Sequence, residues 1–375
     1  MHLSTALAAA AAIMPIVNAH GDAPAMPKIF GLNIRDLKTR NMFNNLKARS
    51  SHFEKRGETL KSRQNTGGQC GGSFGSCAAG VCCSGSGWCG TGPDYCYAPG
   101  CNYQFGPGCP DNAVPAGSDT ANVPRPKLGS IPYGGTGVYS CANPGTVAIT
   151  YDDGPFKGYT EHILEVFKRY NAKATFFITG NNINKGQIDL TEEHRSVITR
   201  AHTEGHQIAS HTWTHQDLSA ISSTDRKLQM TRNEMALRNI LGFFPTYMRP
   251  PYSSCTAASG CEQDLADLGY HITYFDVDTD DYNQDAPGEI QNSKNWFQGN
   301  ITAGGASSGT HDWLSISHDI HEQTATNLTE FMLSTITTLG YRAVTVGECL
   351  NDPKENWYRT DTGGGQGSIS STTVS

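Results

Sequence analysis

The chain has 375 residues, 28 of them Lys or Arg against 35 Asp or Glu, for a formal charge of −7, and at roughly 150 residues per domain this leaves room for one large and one small folded unit. Hydrophobic residues make up 37% and charged residues 17%, which excludes a wholly disordered chain, while 41 Gly and 18 Pro imply much loop. Residues 21–66 hold ten basic against four acidic side chains, so everything from Gly67 onward sits at −13, which argues against nucleic acid or an anionic membrane as a partner.

Residues 1–19 read as a secretory signal: the apolar run between Ala6 and Val17 is interrupted by Pro15, and Val17-Asn18-Ala19 stands at a cleavage position. Residues 20–66 are polar and basic, carry the dibasic pair Lys55-Arg56, and are expected to form a pro-segment or a disordered arm. No later stretch offers about 18 consecutive apolar residues. The end, 353–375, reads as a Gly/Ser/Thr tail without a lipid-anchor signal. A secreted monomer, extracellular or in the cell wall and not held in a membrane, is the expectation.

Eight of the twelve cysteines, Cys70, Cys77, Cys82, Cys83, Cys89, Cys96, Cys101 and Cys109, lie within forty residues; Cys141, Cys255, Cys261 and Cys349 are scattered. In a secreted chain even counts mean disulfides, and so dense a cluster staples a module too small to bury a sufficient core. Zinc competes for such density, but no Cys-x-x-Cys occurs there and no His lies between Gly67 and Cys109. Spacing alone leaves the connectivity of eight cysteines open. The string Cys82-Cys83-Ser84-Gly85-Ser86-Gly87-Trp88-Cys89-Gly90, followed by Pro93-Asp94-Tyr95-Cys96, resembles the hevein-type chitin-binding module, placed here at 67–110. The resemblance implies the bridges Cys70–Cys83, Cys77–Cys89, Cys82–Cys96 and Cys101–Cys109. It also implies binding of N-acetylglucosamine, with Trp88 and Tyr95 stacking on the sugar and Ser84 donating to the acetamido carbonyl. Ser86 departs from the family pattern, where a third aromatic is usual.

Residues 111–138 are rich in Pro and Gly and are expected to be a linker to a domain at 139–352. There an apolar strand over 147–151 precedes a helix whose face repeats at Ile163, Val166, Phe167 and Tyr170. Strands at 174–179 and 207–210 flank a helix at 192–203, and a long helix over 224–241 ends before Gly242. Strands at 246–248, 272–275 and 314–317 follow, then a helix face of Leu328, Phe331, Met332, Ile336 and Leu339, and a closing strand at 342–346. Apolar strands alternating with amphipathic helices mean a parallel sheet, as a barrel or doubly wound. Asp152-Asp153, His211, Arg249, residues 276–281 and His318 each follow a strand, so they gather at the rim where parallel α/β folds build active sites.

His211 and His215, four apart, can share one metal ion, and Asp153 supplies a carboxylate third ligand. Zinc is the first choice and cobalt the second, while Mn²⁺ and Fe²⁺ also suit the ligands. Asp152 and Asp153 are too close in sequence to flank a glycosidic bond as an acid–base pair, but one can bind metal while the other takes a proton from water.

The strings Thr150-Tyr151-Asp152-Asp153-Gly154-Pro155, His211-Thr212-Trp213-Thr214-His215, Arg249-Pro250-Pro251-Tyr252, Asp278-Thr279-Asp280-Asp281-Tyr282 and Ile316-Ser317-His318 resemble the five ordered motifs of the polysaccharide deacetylases, carbohydrate esterase family 4. The stretch 317–350 is similar to fungal chitin deacetylases in particular. The resemblance implies a distorted (β/α) barrel with the small disulfide-rich module before it. It implies Asp152 as general base, Asp153, His211 and His215 around one divalent metal, and His318 as general acid. Arg249 would orient Asp152, Asp281 would hold His318, and the backbone N–H of Tyr252 would meet the developing oxyanion. Tyr282 stands where Trp is commoner, and the cluster of Asp276, Asp278, Asp280 and Asp281 leaves open which carboxylate meets His318.

By position, Cys141 with Cys349 would close the barrel's seam and Cys255 with Cys261 would pin the loop after Tyr252. Asn300 and Asn327 open glycosylation sequons. The expected activity is removal of acetate from N-acetylglucosamine units of chitin and its oligosaccharides, giving chitosan. Acetylxylan or peptidoglycan as substrate, or a chitin-binding wall protein without activity, are the alternatives.

Overall fold

The computed structural model describes residues 68–362, together with the backbone of Lys28–Ile29 and Leu32–Asn33, which pair as antiparallel strands. The expected signal (1–19), nearly all of the basic arm (20–66) and the last residues of the tail lie outside the described residues.

The large domain is built on eight strands: β1 (Thr146–Asp152), β2 (Thr175–Ile178), β3 (Gln207–Ser210), β4 (Tyr247–Met248), β5 (His271–Ile272), β6 (Val277–Asp278), β7 (Trp313–His318) and β8 (Arg342–Val344). They form one sheet in the order β5-β4-β3-β2-β1-β7-β6, with β8 also on β1, and every pairing is parallel. The sheet is a curled, open barrel, since β5 and β6 end the order without pairing with each other. The crossovers are helices α1 (Tyr159–Arg169), α2 (Glu192–Thr203), α3 (Ser223–Leu241), α4 (Cys261–Asp267), α5 (Ile290–Ile301) and α6 (Thr329–Thr338).

All seven residues of β1 are buried, as a central parallel strand covered on both faces requires. The period of two then sorts its side chains. Tyr151 faces the helical layer, where its ring packs against Phe167 and Phe176 and its hydroxyl meets Thr329 Oγ1 at 2.8 Å; aromatic contacts of this kind add about 0.5–1.5 kcal/mol each beyond burial. Thr150 and Asp152 face the opposite side, the concave interior. The expected strand at 272–275 is shorter than the apolar pattern suggested: after Ile272 the chain leaves the sheet, and Thr273 and Tyr274 turn their carbonyls to Arg249 instead. The long helix α3 starts one residue before the expected point, capped by Ser222, whose side chain accepts from Asp225 N, and ends at Gly242 in the left-handed conformation.

The module is pinned by Cys70–Cys83, Cys77–Cys89, Cys82–Cys96 and Cys101–Cys109, and the domain by Cys141–Cys349 and Cys255–Cys261, the six pairs expected from the sequence. The module is docked: Ile183 N donates to Ala98 O at 3.1 Å, and Gln216 Nε2 reaches Pro99 O at 3.4 Å.

Three expectations need correction. Residues 111–138 are a fastened strap. Arg125 forms an ion pair at 2.7 Å with Glu234 of α3 and donates to Leu268 O, while Val138 N bonds Ile272 O at 2.8 Å. Pro and Gly there shape turns, and the buried Glu234 needs the donors the strap brings. The tail begins later than 353, because Trp357, Tyr358 and Arg359 are buried, Tyr358–Arg359 pairs with Phe244–Pro245, and the Tyr358 hydroxyl accepts from Ile208 N. Asn300 is a largely buried helical side chain whose Nδ2 donates to Trp296 O, a setting that disfavours a glycan on its sequon; Asn327 is exposed.

The Cys141–Cys349 bridge closes a separation of 208 residues, which in the chain-entropy model is worth about 5 kcal/mol. Replacing both cysteines by serine is expected to lower the free energy of denaturant unfolding by several kcal/mol; an unchanged unfolding midpoint would show that the seam holds without it.

Candidate active site

Register sets the site. In the parallel pairing of β1 with β7, Asp152 stands opposite His318, which places the two side chains at one level on neighbouring strands about 4.8 Å apart. Asp152 Oδ1 accepts from Arg249 Nη1 at 2.7 Å, and its Oδ2 lies 3.7 Å from His211 Nε2. Arg249, just after β4, is buried and donates also to Thr150 Oγ1, Tyr274 O and Thr273 O, with its guanidinium 4.2 Å from the centre of the Phe177 ring. All three nitrogens of its donor fork are thus engaged, through four hydrogen bonds, the condition for keeping a charge inside.

Asp153, His211 and His215 each offer one ligand atom, and these atoms lie within 4.8 Å of one another. His215 Nε2 is 3.3 Å and His211 Nε2 3.8 Å from Asp153 Oδ1. His211 Nδ1 lies 2.7 Å from the carbonyl of Arg249; a carbonyl can only accept, so Nδ1 carries a proton and Nε2 is the nitrogen turned toward Asp153. Burial pushes His215 down to about 4, keeping it neutral, and although burial would raise Asp153, the nearby histidines and Lys185 hold it at about 2. Two imidazoles and one carboxylate aimed at a common point suit a divalent cation. Among the described residues the other cysteine-containing groups of this kind are tied up in disulfides.

Across the cleft, His318 Nδ1 lies 2.7 Å from Asp281 Oδ1, and Asp281 Oδ2 accepts from His318 N and from Thr324 Oγ1. Asp281 is therefore the carboxylate that meets His318; Asp280 bonds Asn283 and Asp276 accepts from Leu314 N. Burial alone would lower His318, but Asp281, followed by Asp153 and Asp152, overrides it and lifts the imidazole to about 9. Tyr282 stands edge-on to His318 with ring centres 5.2 Å apart. Tyr252 brackets the metal side, its ring 4.6 Å from His215 and its backbone left-handed at φ 60°. Left-handed non-glycine residues recur at Asp153, Thr212, His215, Ser253 and Asp280, each at a cost of about 1–3 kcal/mol that persists only where surroundings over-determine it.

The composition of the site was incompletely legible. Lys185, in the loop after β2, donates to Asp153 O, Gly154 O and Thr179 Oγ1 at 2.6–2.7 Å and so holds the turn that carries both aspartates. Asp319, buried beside Gly154, accepts from Thr160 Oγ1; burial drives its carboxyl up and the Lys185 ammonium down. Nothing local in the sequence marks Lys185, since only closure of its loop brings it under the turn. Asp319 carried a signal in its place directly after His318.

In the module, Trp88 is half-buried, whereas Ser84 and Tyr95 are buried. Ser84 Oγ accepts from Trp88 N, and the Tyr95 ring lies against Gly90 so closely that a Cβ there would overlap it. Tyr95, expected to stack on a sugar, is instead packed into the module's interior.

Residues 139–273 match the family model described as polysaccharide deacetylase. The chain is 44% identical over 225 residues to a chitin deacetylase of Colletotrichum lindemuthianum, covering 60% of this chain and 87% of that protein. It is 41% identical over 248 residues to a chitin deacetylase of Pestalotiopsis sp, covering 66% and 78%. The solved structure of the chitin deacetylase from Colletotrichum lindemuthianum superposes with a TM-score of 0.56 at 43% identity, over 61% of this chain and 96% of that one.

An imidazole with a pKa near 9 is protonated through neutral pH, and its ion pair with Asp281, fully present below the ordinary histidine value of about 6.5, is lost as pH rises through about 9. NMR titration of the His318 ring is expected to show this high value, and in Asp281→Asn a fall to the ordinary value or below. A ring still titrating near 9 in the variant would assign the shift to other groups.

Proposed function

The chain belongs to the polysaccharide deacetylase family of metal-dependent hydrolases, and from that premise we propose that it removes acetate from N-acetylglucosamine units of chitin and its oligosaccharides, leaving chitosan. The observation that carries this reading is the pairing of Asp152, held by Arg249, with His318, held by Asp281, on adjacent strands beside the Asp153, His211 and His215 donor set. The near relatives named chitin deacetylase and the half-exposed Trp88 of the module support chitin as the polymer.

A divalent ion at these ligands, zinc by preference and cobalt as the second choice, would polarise the acetyl carbonyl and make water more acidic. Asp152 takes the proton of the attacking water as the C–O bond forms, with Arg249 keeping the carboxylate in place. The backbone N–H of Tyr252 donates to the oxygen as it gains charge, an interaction stronger in the transition state than in the ground state. His318, protonated, gives its proton to the amide nitrogen as the C–N bond breaks, so that acetate and a free amine leave; Asp281 keeps the ring charged and oriented until then. Asp152 and Arg249 are buried while Asp153, His215 and His318 keep 13–14% of their side chains exposed, so the polymer meets the ligand and acid edge and the base lies beneath.

In the module, Trp88 would stack on a sugar of the chain, with Ser84 and Tyr95 shaping the site from beneath. Secretion through the signal at 1–19 and a glycan on the exposed Asn327 complete the reading.

Acetate released from N-acetylglucosamine oligomers, acetylxylan and peptidoglycan is the test. Release from the oligomers is expected to be fastest, to stop with a chelator, to return with Zn²⁺ or Co²⁺, and to fall about 10²–10⁴-fold in Asp152→Asn. Faster release from either other polymer would move the substrate, and no release from any would leave a binding protein.

A further inference from the structure

The loop between β3 and α3 carries two of the three ligand residues, His211 and His215, and its backbone enters the left-handed region that L-residues avoid at Thr212 (φ 72°) and at His215 itself (φ 65°). Strained backbone persists only where its surroundings over-determine it, and much of what surrounds this loop comes from outside the barrel. Trp213 is buried, its ring against Gly180, and its Nε1 donates to Pro110 O at 2.9 Å. Thr214 is also buried; its N donates to Gln229 Oε1 at 2.8 Å and its hydroxyl donates to Asp111 Oδ1. Gln216 Nε2 donates to the same Asp111 oxygen at 2.9 Å, and Gln229 Nε2 joins them at 3.0 Å. His215 therefore stands between two residues whose side chains both end on one carboxylate oxygen.

Asp111 is 1% exposed, its carbonyl accepts from Arg232, and its Oδ2 has no hydrogen-bond partner. All the bonding of this carboxylate is thus directed at the 211–216 loop and the helix beneath it. It lies two residues after the last cysteine of the module and well before residue 139, where the family match starts. Glu234 gives the contrast: also buried and bonded by the strap through Arg125 and Thr120, it takes its remaining hydrogen bond from Tyr270 and touches none of the ligand loop.

We infer that Asp111 is a positioning residue for the metal site, which the segment leaving the disulfide-rich module completes by holding His215 toward Asp153. The inference rests on the metal-site reading above. It assigns the strap two separate tasks: at Glu234 it stabilises the fold, and at Asp111 it sets the geometry of a ligand.

The test uses the full chain freed of metal. Co²⁺ affinity is measured by competition with a chelator, together with the visible absorption of the Co²⁺ form and the thermal midpoint of the metal-free protein. Asp111→Ala is expected to weaken Co²⁺ binding about 10–100-fold, the usual effect of removing a group that orients a ligand, and to alter the absorption bands. Asp111→Asn keeps Oδ1 as an acceptor and is expected to recover most of the affinity. Arg125→Ala is expected to lower the metal-free midpoint and leave Co²⁺ affinity and absorption unchanged. Should Asp111→Ala not fold, the half-buried Gln216→Ala is expected to weaken Co²⁺ several-fold at an unchanged midpoint. Co²⁺ affinity in Asp111→Ala no weaker than in Arg125→Ala overturns the inference, as does wild-type affinity in Gln216→Ala where that variant is needed. Failure of the wild-type chain to bind any divalent ion overturns instead the metal-site reading.

Discussion

The guanidinium of Arg249 ties together residues from several strands of the sheet. It grips Thr150 and Asp152 on β1, takes the two carbonyls released where the chain leaves β5, and lies on Phe177 of β2, while its own carbonyl fixes the tautomer of His211 after β3. A buried cation without a counter-charge is untenable, and breaking such a pair by removing one partner costs about 3–5 kcal/mol. Asp152 is that counter-charge, so the demand that keeps Arg249 inside also fixes the carboxylate proposed as the base. Orientation of the base and of one metal-facing nitrogen thus follow from one electrostatic constraint, and the curled sheet supplies the strands on which it acts.

The opposite edge uses the same physics with the sign reversed. Asp281, wholly buried, accepts from the ring and the backbone of His318 and from Thr324, and so keeps a proton on an imidazole whose burial would otherwise remove it. Because β1 and β7 are paired in register, the carboxylate and the imidazole to which the proposed function gives the roles of base and acid stand at matched height on adjacent strands. Environments that push the ionisation of neighbouring groups apart allow opposite roles within one site.

Much of this was legible in the sequence, for a physical reason. Strand ends are punctuated by local residues, so Asp152-Asp153, His211, Arg249 and His318 announced themselves by following apolar runs, and the parallel topology then required that they meet. The family resemblance carried the four bridges of the module, and position along the chain the two of the large domain. What escaped depends on closure over long separations. The strap read as a linker because Pro and Gly mark loops whether they are free or fastened, and only the buried Glu234 and Asp111 reveal that this one is fastened. Lys185 sits in an unremarkable polar loop until that loop folds under the Asp153 turn. Tyr95 matched its motif, yet packing against Gly90 turned it inward. The Gly/Ser/Thr run dominates the composition of 353–375, so the buried Trp357 and Tyr358 just before it go unmarked in the sequence.

The central claim is that residues spread over five motifs build one metal-centred hydrolytic site with a separate base and a separate acid. Anomalous diffraction at the zinc or cobalt absorption edge, from crystals grown with that ion, tests it most directly. One strong peak ligated by Asp153, His211 and His215, with Asp152 and His318 on either side and neither of them a ligand, is the result predicted. A peak that recruits Asp152 as a ligand, or an ion bound away from these three side chains, would contradict it.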